Sequence, residues 1–155
     1  MIKVGIAGYG TIGQRLADGV AMQEDMELVG IADLAPTLSL QALRERDMIG
    51  ANGVRYNLYL VDGADKAAFE AKDIPVAGSF DELCQKVDIM LDSAPGGVGA
   101  KNKENYYDKY GVKAIFQGGE KNSVADVFFH GYANYEKGVG QNYLKLTSCN
   151  TTGLI

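Results

Sequence analysis

The sequence predicts an α/β fold, an open and mostly parallel sheet with helices on both faces. Three observations carry this. Short apolar runs, suited to strands buried on both faces, alternate with helical stretches. The first run ends in a glycine-rich turn that leads straight into an amphipathic stretch. Glycine is abundant, 20 in 155 residues, and much of it sits in tight groups between elements rather than in linkers.

Ile2 to Ala7 reads as the first buried strand. Ile12, Leu16 and Val20 fall four apart, with Ala17 beside them, and predict a helix that turns these residues inward. Glu27 to Ala32 is the second strand and closes at Asp33, completing a βαβ unit. Leu40 to Arg44 predicts a helix ending near Gly50, Tyr56 to Val61 a strand, and Asp65 to Ala71 a short helix before the Pro75 turn. Ser79 is an N-cap, with Glu82 three residues on, for a helix around Phe80 to Lys86. Strands follow at Val87–Asp92, Val112–Gln117, Ala125–His130 and Tyr143–Thr147, with helices at Lys101–Tyr110 and near Asn134–Lys137.

Gly8-Tyr9-Gly10-Thr11-Ile12-Gly13 is a GxGxxG motif between the first strand and the first helix. The first glycine permits a tight turn, the second lets backbone approach a pyrophosphate, and the third lets helix and strand pack closely. The helix N-terminus offers N–H groups and partial positive charge to phosphates. Asp33 comes twenty residues after Gly13. A carboxylate there hydrogen-bonds the adenosine ribose hydroxyls and repels a 2′-phosphate, which favours NAD over NADP. The whole pattern is Rossmann-like. Ser93–Gly97 and Gln117–Glu120 are glycine-containing turns after later strands, where such sheets bind ligands.

Thr147-Ser148-Cys149-Asn150-Thr151-Thr152-Gly153-Leu154 is the second informative stretch. A strand delivers Cys149 to its carboxyl end, where a helix is expected to start. Free N–H groups there favour thiolate over thiol. On a dinucleotide-binding framework this suggests aldehyde oxidation, in which sulfur attacks the carbonyl and a thioester results.

These two stretches resemble the archaeal-type (type II) phosphorylating glyceraldehyde-3-phosphate dehydrogenases. So do Val98-Gly99-Ala100-Lys101-Asn102-Lys103 and Ala114-Ile115-Phe116-Gln117-Gly118-Gly119-Glu120-Lys121. The likeness covers essentially the whole chain but only the first half of that family's subunit. It implies an NAD-binding domain over 1–148, with 149–155 opening the catalytic domain. It implies that Cys149 is the nucleophile, flanked at the substrate by Ser148 and Asn150. It implies that Thr11 and Ile12 meet the cofactor phosphates through backbone, that Gly119 lies against the cofactor, and that subunits form a homotetramer. Glyceraldehyde 3-phosphate and inorganic phosphate are the implied substrates. Ala7 departs from the family's usual asparagine, and Asp33 departs from the lysine or threonine of members that accept NADP. The family's catalytic histidine and substrate phosphate-binding residues follow the cysteine, so the 155 residues alone are expected not to complete the reaction. Another semialdehyde or aldose-phosphate dehydrogenase is the alternative enzyme, and a stand-alone NAD-binding module the non-catalytic one.

Composition bounds the remaining classes. With 15 basic and 20 acidic residues the net charge is −5, which argues against a general nucleic-acid or membrane-surface binder. Two cysteines and one histidine, with no CxxC, argue against a metal site and a disulfide scaffold. The absence of a signal peptide or a long apolar run makes a cytoplasmic protein the expectation. His130 is a weaker candidate base for the thiol than a packing residue. Cys84 reads as an inert helix residue, Tyr106, Tyr107 and Tyr110 as a packing stripe, and Lys101, Lys103, Lys109 and Lys113 as a solvated face.

Overall fold

Eight parallel strands form one open sheet in the computed structural model, which describes residues 1–154. Ile155, the end of the 149–155 segment, lies outside the described residues. The strands are β1 (Ile2–Ala7), β2 (Met26–Asp33), β3 (Leu58–Leu60), β4 (Gly78–Ser79), β5 (Ile89–Asp92), β6 (Lys113–Phe116), β7 (Val127–Phe129) and β8 (Tyr143–Leu146). Their order is β4-β3-β2-β1-β5-β6-β8-β7, and every described pairing is parallel. The chain winds outward from β1 through β2, β3 and β4, then crosses back to lay β5 on the other side. That reversal, between β1 and β5, is the switch point where open α/β sheets form a crevice beyond their carboxyl ends.

The helices are α1 (Thr11–Ala21), α2 (Leu38–Arg44), α3 (Lys66–Glu70), α4 (Phe80–Cys84), α5 (Val98–Asn102), α6 (Asp108–Tyr110), α7 (Tyr135–Gly138) and α8 (Cys149–Leu154). Side chains alternate along the central strands and so feed two cores. Val4, Ile6, Leu28 and Ile31 join Ala17, Val20 and Leu40 on one side. Ala7, Ala32, Met90 and Phe116 join Phe80, Leu83 and Tyr107 on the other. Helices therefore cover both faces, as the sequence predicts.

Two local readings need correction. Ile12 is 49% exposed, and the inward face of α1 is Gly13, Ala17 and Val20. The first turn of α1 stands above the sheet edge, so the residue facing β1 there is the small Gly13. The predicted 101–110 helix starts three residues earlier, at Val98, after Gly97 takes a left-handed φ of 84°. Its middle, Lys103–Tyr107, is a π-helical turn between α5 and α6. The extra residue in that wider turn lets consecutive Tyr106 and Tyr107 both face inward. The packing stripe is thus present, on a helix of a different type.

The Ser79 cap forms as expected. Its Oγ accepts the Glu82 N–H at 3.3 Å, while Glu82 Oε2 accepts the Ser79 N–H at 2.7 Å. Ser79→Ala is expected to cost about 1 kcal/mol, read as a small fall in Tm. The Ser79 N–H holds the Glu82 carboxyl below its usual range. The cap's charge-assisted half is therefore present at neutral pH and lost as pH falls through that lowered value. A melting curve of Ser79→Ala unchanged from the parent protein would show that the cap contributes nothing.

Candidate functional site

The glycine turn is built by close backbone contacts. Gly8 has φ of 85°, which other residues rarely adopt, and its N–H donates to the Ala32 carbonyl at 2.8 Å. A Cβ on Gly13 would meet the Gly8 carbonyl oxygen at 1.8 Å, so only glycine lets α1 approach β1 this closely. A Cβ on Gly10 would meet nothing within 4 Å, so the turn is open to the outside at that point. No side chain caps the N-terminus of α1, where Thr11 and Ile12 are exposed. This leaves N–H groups of the first turn available to an anion.

Asp33 ends β2 beside this turn. Its Oδ2 accepts the Tyr9 N–H at 2.9 Å and its Oδ1 accepts the Leu34 N–H at 2.7 Å. Each carboxylate oxygen keeps a lone pair for a further donor. Tyr9 points its ring into the core, edge-on to Tyr56 at 6.4 Å between centroids. The Tyr56 hydroxyl donates to Asp18 Oδ1 of α1 at 2.7 Å. The turn is therefore fixed from above by Asp33 and from below by the two tyrosines.

Gly8 and Asp33 share a cavity of about 490 Å³ with Leu34, Asp62, Pro95 and Tyr106. A second cavity of about 490 Å³ lies between the two later glycine turns and includes Gly96, Gly97, Gly119 and Glu120. The first of those turns is tied both to the glycine motif and to the second turn. Ser93 Oγ donates toward the carbonyls of Ala7 and Gly8, at 3.0 and 2.8 Å, and a Cβ on Gly118 would meet the Ala94 oxygen at 2.1 Å. Beneath them Asp92 is 1% exposed and accepts from Ala94 N–H, Asn102 Nδ2 and the Tyr107 hydroxyl at 3.0, 2.9 and 2.6 Å. Burial pushes the Asp92 carboxyl up, against the pull of those three donors.

Cys149 is exposed and is the first residue of α8. Ser148 accepts the Thr151 N–H on its Oγ at 3.1 Å and the Thr152 N–H on its carbonyl at 2.9 Å, so it caps that helix. Asn150 follows on the exposed side. Cys149 leaves the carboxyl end of β8, three positions along the sheet from β1, roughly 14 Å at ordinary strand spacing. It emerges on the same edge as the glycine turn but lines neither cavity.

The predicted residues thus fall into three groups along one edge: the turn with Asp33, Gly119 at the second cavity, and the Ser148–Asn150 segment. His130 joins none of them; its Nδ1 accepts the Tyr132 N–H at 3.3 Å. Cys84 is buried in α4, and burial pushes its thiol up to about 12. Lys103 and Lys109 sit beside Asp108 and Asp81 at 3.5 and 3.3 Å. Asp62, Asn102 and Tyr106 were not read from the sequence as cavity residues. Among the described residues there is no group of three His, Cys, Asp or Glu suited to a metal, and no helix is long and apolar enough to cross a membrane.

No protein-family model matches the chain. It is similar to the glyceraldehyde-3-phosphate dehydrogenase of Archaeoglobus fulgidus, 46% identical over 153 residues, which are 99% of this chain and 42% of that protein. It is 47% identical to the enzyme of the same name from Pyrococcus furiosus over 154 residues, 99% of this chain and 43% of that protein. The chain therefore spans little more than two fifths of the length of these curated relatives. Among solved structures, aspartate semialdehyde dehydrogenase II of Vibrio cholerae, in complex with ASA, superposes with a TM-score of 0.52 at 18% identity. That match covers 99% of this chain and 44% of the other, and supports the fold alone.

Proposed function

Because the chain is homologous to the N-terminal portion of archaeal glyceraldehyde-3-phosphate dehydrogenases, we propose that it is the NAD-binding part of such an enzyme. Residues 1–148 form the cofactor domain in this reading, and 149–155 open the catalytic one. The carrying observation is the Asp33 carboxylate, fixed by two backbone N–H groups at the mouth of an uncapped helix, beside a cavity of about 490 Å³.

The residues fit a dinucleotide. Gly10, Thr11 and Ile12 present backbone to the pyrophosphate, while Gly8 and Gly13 give the turn its shape. Asp33 accepts from the adenosine ribose hydroxyls, so NAD is preferred over NADP. Gly119 borders the nicotinamide end. Cys149 adds through sulfur to the aldehyde carbon of glyceraldehyde 3-phosphate, between Ser148 and Asn150. A dinucleotide bound there would supply the two-electron acceptor that oxidation of this adduct to a thioester needs. Inorganic phosphate then displaces the sulfur and releases 1,3-bisphosphoglycerate. A homotetramer in the cytoplasm is part of the same reading.

Calorimetric titration of the 155-residue chain with NAD is expected to show binding, and Asp33→Ala to weaken it about tenfold or more, the worth of hydrogen bonds to a charged acceptor. The chain alone is expected to turn over no glyceraldehyde 3-phosphate with NAD and phosphate. Undetectable NAD binding would refute the cofactor reading. Robust turnover would refute the need for residues outside these 155.

A further inference from the structure

The first cavity carries a second carboxylate that the glycine motif does not account for. Asp62 follows β3, the strand next to β2, and Asp33 pairs in register with Leu60. Asp62 thus stands two residues farther past the sheet edge than Asp33, and one strand outward. Both line the same cavity. The other charged residue on its wall is Lys101, which forms no ion pair among the described residues.

Asp62 is itself exposed, yet its position is fixed from the buried side. The Tyr106 hydroxyl donates to Asp62 Oδ2. Tyr106 is 9% exposed and packs edge-on against Phe80, 5.1 Å between centroids. The π-helical turn that brings Tyr106 inward places its neighbour Tyr107 on Asp92. One helix therefore ties down a carboxylate on each side of the crevice.

We propose that Asp62, through its charge, is a second determinant of cofactor choice, excluding dinucleotides whose adenosine ribose carries a 2′-phosphate. This rests on the reading of the cavity as the adenosine end of a dinucleotide site. A phosphomonoester adds close to two negative charges. Repulsion by a fixed carboxylate acts over about a Debye length, roughly 8 Å at physiological salt, and so needs no direct contact. Asp33 meets the ribose itself, and with Asp62 it sets two negative charges against the single positive charge of Lys101 on that wall. Replacing Asp33 alone would leave the Asp62 charge in place.

The test is calorimetric titration of the 155-residue chain with NAD and NADP, in parent protein, Asp62→Asn and Tyr106→Phe. Asp62→Asn keeps the size of the side chain and an oxygen for the Tyr106 hydroxyl, and removes only charge. NADP affinity is expected to rise about fivefold or more at low salt, and by at least about twice the factor by which NAD affinity changes. Tyr106→Phe keeps the charge and is expected to leave the NADP-to-NAD affinity ratio near that of the parent. Equal changes for both dinucleotides in Asp62→Asn, or no change for NADP, would overturn the assignment. So would a gain of NADP binding in Tyr106→Phe, which would assign the exclusion to shape. A parent chain that binds NADP as tightly as NAD also overturns it. If the parent binds neither dinucleotide, the cofactor reading itself fails and the assignment falls with it.

Discussion

Iodoacetamide near neutral pH is expected to alkylate Cys149 at least ~100-fold faster than Cys84, because the thiolate is the reacting species and must be reachable. Cys149 is exposed at the start of α8. Cys84 is 1% exposed, and its thiol, pushed up to about 12, leaves only about one in 100,000 ionised at pH 7. Peptide mapping by mass spectrometry reads both rates in one sample. Saturating NAD is expected to slow labelling of Cys149 severalfold and leave Cys84 unaffected. Equal rates for the two cysteines would remove the case for Cys149 as a nucleophile. Labelling of Cys149 that ignores NAD would separate the sulfur from the cofactor.

Gly13→Ala is expected to destabilise the chain by about 3 kcal/mol, the upper end of ordinary overpacking, and to lower Tm by roughly 6–12 °C. The added methyl would lie 1.8 Å from a backbone oxygen, and backbone cannot swing aside as a side-chain end can. NAD binding is expected to be lost with it, since the same shift displaces the turn. Gly19→Ala, in the same helix, is the control. Its Cβ would meet nothing within 4 Å, so it is expected to stabilise by up to ~1 kcal/mol through helix propensity. Scanning calorimetry of the two variants should move in opposite directions. A Gly13→Ala protein as stable as its parent would mean that α1 does not pack against the turn as described.

The β1–α1–β2 unit was readable because its signals are local: three glycines, a following helix and an acid at the strand end lie within a short stretch. The capped helix at Ser79 was readable for the same reason. Ile12 was misread because periodicity assigns a face without knowing where the helix leaves the sheet. The start of α5 at Val98 was hidden by two glycines at 97 and 99, which read as turn. Nothing in the spacing of Tyr106, Tyr107 and Tyr110 distinguishes a π-helical turn from an α-helical stripe. The Asp62–Tyr106 contact joins residues 44 apart in sequence, so no local pattern announces it. The two-residue β4 and the position of β7 depend on pairing across the sheet, which sequence order conceals.

The order of the last two strands has a consequence for synthesis. β7 is made before β8 but lies outside it, hydrogen-bonded to β8 as its neighbour. A nascent chain that has emerged only as far as residue 142 therefore has its β7 segment and no place to dock it. Val127–Phe129 gains its partner strand only once Tyr143–Leu146 is made and slots between it and β6. The segment that brings in Cys149 is thus also the wedge that closes the sheet, so the last two of its eight strands are completed only as Cys149 arrives.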